Sequence, residues 1–261
     1  MLQITTAQLN AMIVAWVFPM VRVLAFLAAA PIFSNSGIPQ RVKLIVGLAI
    51  GFAVAASLPP QNMSDPGSYI GLAILAEQML IGAGLGFVMR VVFAAVDAAG
   101  SLIGLQMGLS FASFFDPQTQ GQTAVIASII GIIASLLFLS LNGHLMLIDA
   151  LAHSFEWLPI SAKPMRADGW LLLARSGSII FSTGLLLSLP VVAALLMTNI
   201  ALAVLTRAAP QLNLFAVGFP ITSTIGIAVI WLSMPTLAYV LEGVFDEGIA
   251  NIAVIARNWV P

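Results

Sequence analysis

A chain of 261 residues that is 61% hydrophobic and only 7% charged cannot form a conventional soluble domain, in which about 25% of residues are charged. Nine Lys and Arg against ten Asp and Glu give no basic field for nucleic acid. The absence of cysteine removes disulfides, thiolate metal sites and thiol nucleophiles. What remains is an all-α integral membrane protein with no sizeable soluble part.

A membrane span needs roughly 20 apolar residues, and such runs can be followed in order. The first, residues 9–33, is interrupted by Pro19 and Arg22. It follows neither a positively charged start nor a small-residue cleavage site, so it is expected to stay in the mature protein. Residues 34–41 form a turn broken by Gly37 and Pro39. A short span, 42–58, ends at Pro59 and Pro60. Residues 69–115 then contain no proline. As one helix they would measure about 70 Å, more than twice the roughly 30 Å of a hydrocarbon core. Such a helix must bend back, leave the membrane, or stand in a complex taller than the bilayer.

Residues 123–152 make another apolar run, followed by the most polar linker of the chain, 153–168. Residues 169–205 follow, with Pro190 as an expected kink. The stretch 206–213 breaks the pattern again. A last block, 214–241, carries Pro220 and Pro235 and is expected to end before the acidic stretch 242–247. Six long, partly broken segments arranged as helical hairpins are the simplest count, in a single membrane domain spanning 1–261. Arg41 and Lys43 in the first turn against Asp65 in the second place the N-terminus outside the cytoplasm.

The segment from Gly104 to Gln122, with Gln106, Met107, Phe111, Phe114, Phe115, Asp116 and Pro117, is an apolar, aromatic hairpin tip inside a chain of membrane helix. Its aromatic rings suit two places. They could anchor a hairpin at the lipid headgroups, or they could seal a pore, since an apolar constriction excludes water and ions. Gly100, Gly104 and Gly108 recur every four residues, as do Gly47 and Gly51. Such ridges let helices approach closely, either within the chain or against other subunits.

Arg22, Glu77, Arg90, Asp97, His144 and Asp149 lie within or beside apolar runs. A charge at the centre of a lipid-facing helix costs from about 2.5 kcal/mol upward, so each is expected to face protein or water. Pairing that fixes assembly is the first reading and a proton or ion relay the second. Arg90 and Asp97, seven apart, share a helical face about two turns apart. Two histidines without H-E-x-x-H spacing make no zinc site. Ser110 lacks the second glycine of a G-x-S-x-G elbow. With no nucleophile–base set and no Walker loop, no enzyme and no cofactor is read.

The chain resembles FliR, the flagellar member of the type III export-gate proteins, whose counterpart in virulence secretion is SctT. The resemblance covers nearly the whole chain. It rests on Ala30-Pro-Ile-Phe33 with Ile38-Pro-Gln-Arg-Val-Lys-Leu44, on Ile103-Gly-Leu-Gln-Met-Gly-Leu-Ser-Phe-Ala112 with Phe115-Asp-Pro117, and on Leu137-Phe-Leu-Ser-Leu-Asn-Gly-His144. Asn199 to Asn213 and Gly218-Phe-Pro220 complete it.

The resemblance implies one copy joined to five FliP-like and four FliQ-like membrane subunits in a closed export gate. A FlhB-like switch protein would sit on the cytoplasmic side, and unfolded flagellar subunits would be the substrates. It further implies a FliP-like part, roughly 1–205, overlapping a FliQ-like hairpin, roughly 170–261, in the bacterial inner membrane at the flagellar basal body. The matching plug loop would run from Gln106 to Gln122, and Arg207, Pro210 and Gln211 would lie near the FlhB-like partner. The rival reading is a small-solute secondary transporter with a midplane site, suggested by the proline-broken segments and ionisable groups.

Overall fold

The computed structural model describes residues 6–59, 67–109, 125–161, 165–209 and 214–260. They form helices α1 (Thr6–Ala29), α2 (Gln40–Ser57), α3 (Tyr69–Gln106) and α4 (Val125–Ser140). After these come α5 (Gly143–Trp157), α6 (Ala167–Ser176), α7 (Ser178–Ala208) and α8 (Leu214–Asn258). No strand occurs among the described residues. Among the described residues, four helical stretches are long and apolar enough to cross a membrane, or five if α4 and α5 count as one broken span.

The apolar blocks become helices because the bilayer core leaves backbone N–H and C=O groups no partner except each other. The breaks fall where local chemistry ends that ladder. After α1, the Gly37 amide bonds to the Asn35 side-chain oxygen at 2.8 Å. The Pro39 carbonyl then receives the Val42 and Lys43 amides at 2.9 and 3.2 Å, starting α2. Between α4 and α5, Asn142 adopts a left-handed conformation with φ 58°, which asparagine tolerates better than most residues. It therefore divides the run expected to be continuous over 123–152.

Three further boundaries differ from the expectation. The polar linker begins later, because α5 continues through His153 to Trp157. The block 169–205 is divided at Gly177. The last helix does not stop at Leu241 but continues through the acidic stretch to Asn258. There Leu241, Phe245, Ile252 and Ala256 are buried while Glu242, Asp246 and Glu247 are exposed. The acids decorate the outer face of an amphipathic helix and do not end it.

The chain divides into two compact units, one of residues 1–90, 142–176 and 246–261 and the other of 91–141 and 177–245. In the first, Phe18, Val23 and Phe26 of α1 are buried. So are Ile81, Leu85 and Met89 of α3, Leu147 and Leu151 of α5, and Trp259. α2 lies on α1, with Gly47 under Leu24, Gly51 beside Met20 and the rings of Trp16 and Phe52 4.8 Å apart. The second unit buries Ala95, Ala99 and Ile103 of α3 with Ile130, Ala134 and Phe138 of α4. Leu187, Val191 and Leu195 of α7 join them. Phe93, Phe138 and Phe245 form an aromatic triad with centroids 5.1 to 5.7 Å apart.

Candidate functional site

Within the first unit, Gly82 and Gly86 of α3 have no side chains to hold α1 away. A Cβ on Gly82 would collide with the Arg22 carbonyl, and one on Gly86 would come within 2.6 Å of the Phe26 carbonyl. This close crossing brings the Arg22 side chain to Gln78, one turn before Gly82 on α3. Arg22 is fully buried. Its Nε donates to Gln78 Oε1 at 2.8 Å. Its Nη1 donates to the Ser154 carbonyl at 3.0 Å and to Ser154 Oγ at 3.3 Å. Its Nη2 donates to the Leu158 carbonyl at 2.9 Å, and the guanidinium lies 4.1 Å from the centre of the Phe155 ring.

Two of these acceptors, the carbonyls of Ser154 and Leu158, close the C-terminal end of α5. The Ser154 carbonyl also accepts the Leu158 amide at 2.9 Å, and both carbonyls lie at the negative end of the helix dipole, which favours a cation by about 0.3–2 kcal/mol. Hydrogen bonds to a charged donor contribute about 1.5–3 kcal/mol each. A buried guanidinium is thus held here without a carboxylate within 4 Å among the described residues. Glu77 is half-buried and lines a cavity of about 270 Å³ with Gln78, Ile81, Leu158 and Ser161.

In the second unit, the end of α3 is the described foot of the loop singled out in the sequence. The Met107 amide bonds to the Ile103 carbonyl at 2.9 Å and the Gly108 amide to the Leu105 carbonyl at 3.1 Å. Gly108 has φ 83°, the left-handed exit that glycine adopts without a steric penalty at a helix end. Met107 is 1% exposed. Gln106 is half-buried. Phe111, Phe114, Phe115, Asp116 and Pro117 lie outside the described residues, as do Pro210 and Gln211.

The other sequence-selected residues are dispersed. Arg90 and Asp97 are both exposed in the single chain, and Asp97 Oδ1 lies beside Gly131 of α4. His144 is half-buried, and its Nδ1 has no hydrogen-bond partner among the described residues. Asp149 is exposed, with Oδ1 3.5 Å from His153 Nδ1. Arg207 is exposed in the last turn of α7. No group of three His, Asp or Glu side chains that could hold a metal occurs among the described residues.

Sequence reasoning singled out Arg22 but missed Gln78 and Ser154, and it missed Gly82 and Gly86. The four-residue spacing of that glycine pair was the available signal. Of the noted glycines, Gly100 packs within the chain: a Cβ there would collide with the Ala127 backbone of α4.

The sequence profile of the family described as "Bacterial export proteins, family 1" matches residues 13–248. The chain is 45% identical over 247 residues to the flagellar biosynthetic protein FliR of Escherichia coli K12, covering 95% of this chain and 94% of that one. It is 47% identical over 230 residues to the protein of the same name from Pectobacterium carotovorum, covering 88% of each. The Bacillus subtilis protein of that name is 32% identical over 237 residues, covering 89% of this chain and 90% of its own.

Proposed function

Because this chain belongs to the bacterial export proteins, family 1, we propose that it is a subunit of the flagellar type III protein export gate. In this reading one copy completes a ring with FliP-like and FliQ-like subunits, in the five-to-four-to-one proportion that the resemblance implies. The ring forms the closed channel through which unfolded flagellar subunits leave, and its rim seeds the rod. The gate sits in the bacterial inner membrane at the flagellar basal body, and a FlhB-like switch protein contacts it near Arg207, Pro210 and Gln211.

The observation that carries this reading is the match over nearly the whole chain to proteins named for flagellar biosynthesis. The surface supports it. Phe181 is 80% exposed, Met197 73%, Trp231 72% and Tyr239 78%. Apolar faces of that size call for a covering of lipid or other membrane subunits. Arg90 and Asp97, exposed on an apolar helix, are the charges available to pair with those neighbours, because a charge in an apolar surrounding requires a partner.

The chain acts as a channel wall and not as an enzyme. Its segment from Gln106 to Gln122, with Phe111, Phe114, Phe115, Asp116 and Pro117, serves as the plug that keeps the resting channel closed to water and ions. Two experiments test these statements. Removing the protein from its host should abolish flagellar filaments and swimming, whereas a strain that still swims would overturn the export reading. Deleting residues 111–122 should make resting cells leaky to ions or small solutes. Unchanged permeability in a mutant whose gate still assembles would remove the plug assignment.

A further inference from the structure

Two residues of α8 that the sequence did not single out hold the foot of the plug segment. Thr222 is 6% exposed, and its hydroxyl lies 3.0 Å from the Met107 carbonyl, a contact between residues 115 positions apart. The same hydroxyl lies 3.1 Å from the Phe219 carbonyl of its own helix, so one proton serves two acceptors. One helical turn on, Gly226 leaves a notch. A Cβ built there would come within 2.7 Å of Met107 Cγ and 2.9 Å of both Sδ and Cε. The Met107 side chain fills that notch, its backbone carbonyl is held by Thr222, and the next residue, Gly108, turns the chain out of α3 in a left-handed conformation.

We propose that Thr222 and Gly226 are positioning residues of the closed gate. They act through Met107, and together they fix the point and the direction in which the chain leaves α3. The inference rests on the assignment of residues 111–117 as the plug. Met107 is unbranched and adapts its shape readily, so a bond to its carbonyl and a notch fitted to its side chain hold it better than either alone. Thr222 loses little when that bond is broken, since the Phe219 carbonyl remains in reach. The seat can therefore open without leaving a buried hydroxyl unpaired.

The test is the ion tightness of resting cells that carry the assembled gate, with assembly checked by co-isolation of the other membrane subunits. Gly226→Ala pushes on Met107 and should cost ion tightness. Adding Met107→Ala removes the colliding atoms and should restore it, a rescue that general damage to the fold would not show. Thr222→Val keeps the shape, removes the bond and should also leak. It decides the matter if Gly226→Ala fails to assemble.

An assembled Gly226→Ala gate that stays tight, a leak that Met107→Ala does not reverse, or a tight Thr222→Val gate would each overturn the proposal. Deletion of 111–122 is run alongside. If the deletion stays tight, the plug assignment fails and the proposal with it. If the deletion leaks while the point variants behave otherwise, only the positioning role fails.

Discussion

Arg22 and Leu158 are joined across 136 positions of sequence by a 2.9 Å hydrogen bond from Nη2 to a backbone carbonyl. That carbonyl lies just past α5, so a side chain of α1 caps a helix that follows it by more than a hundred residues. Arg22→Ala would leave that carbonyl and Gln78 Oε1 without this donor in a buried place, while the Ser154 carbonyl would keep only the Leu158 amide. An unsatisfied buried polar group costs about 1–3 kcal/mol, so thermal unfolding of the purified assembly should show a large loss of stability. Arg22→Lys should recover only part of it, because one ammonium lacks the planar fork that reaches three directions. Equal stability of Arg22→Ala and wild type would remove the capping role.

Gly82 and Gly243 make opposite predictions although both lie inside helices. Gly82→Ala should separate α1 from α3 and lower the yield of intact protein, because the obstacle is the Arg22 backbone. Gly243→Ala meets nothing within 4 Å among the described residues. It should be neutral or stabilising by about 0.5–1 kcal/mol, the usual advantage of Ala over Gly in a helix. Protease resistance of the two variants in membranes checks the pair.

Trp259, fully buried, lies against Gly84 and Gly169, and its ring centroid is 4.8 Å from that of Trp170. Its carbonyl accepts the Arg166 amide at 3.1 Å. Trp259→Ala should cost about 3–5 kcal/mol, as large-to-small core changes do. Trp259→Phe should cost much less, because the indole Nε1 has no hydrogen-bond partner among the described residues. Melting curves of both variants would separate lost volume from a lost polar contact.

The exposed apolar faces of α7 and α8 predict an assembly defect. Phe181→Asp or Met197→Asp puts a charge where lipid or a neighbouring subunit should lie, at a cost of about 2.5 kcal/mol or more. Either variant should be recovered without its membrane partners. Recovery of both variants with normal partners would mean that these faces are open to water.

The helical blocks were legible because apolar runs of span length have one stable backbone solution in a bilayer. Their ends were less so. Asn142 divides a run that stays apolar on both sides, so hydropathy carries no mark of the break. The acids after Leu241 looked like a terminus because the eye meets Glu242, Asp246 and Glu247 before the buried stripe of Leu241, Phe245 and Ile252 that threads between them. Arg22 stood out as a charge in an apolar helix. Its acceptors did not, since two are backbone carbonyls, which every residue has, and two are neutral side chains on other helices. Thr222 and Gly226 were illegible for a related reason: their roles come from Met107, 115 and 119 positions earlier, and no periodicity within α8 points there.

The central claim is that this chain is one part of a larger export gate. Native mass spectrometry of the chain, isolated in mild detergent from its own host, tests it most directly. The account predicts a single copy within a hetero-oligomer of two other kinds of membrane subunit in unequal numbers. A stable, intact monomer or homodimer would contradict it and return attention to Arg90, Asp97 and Asp149 as a solute or proton site.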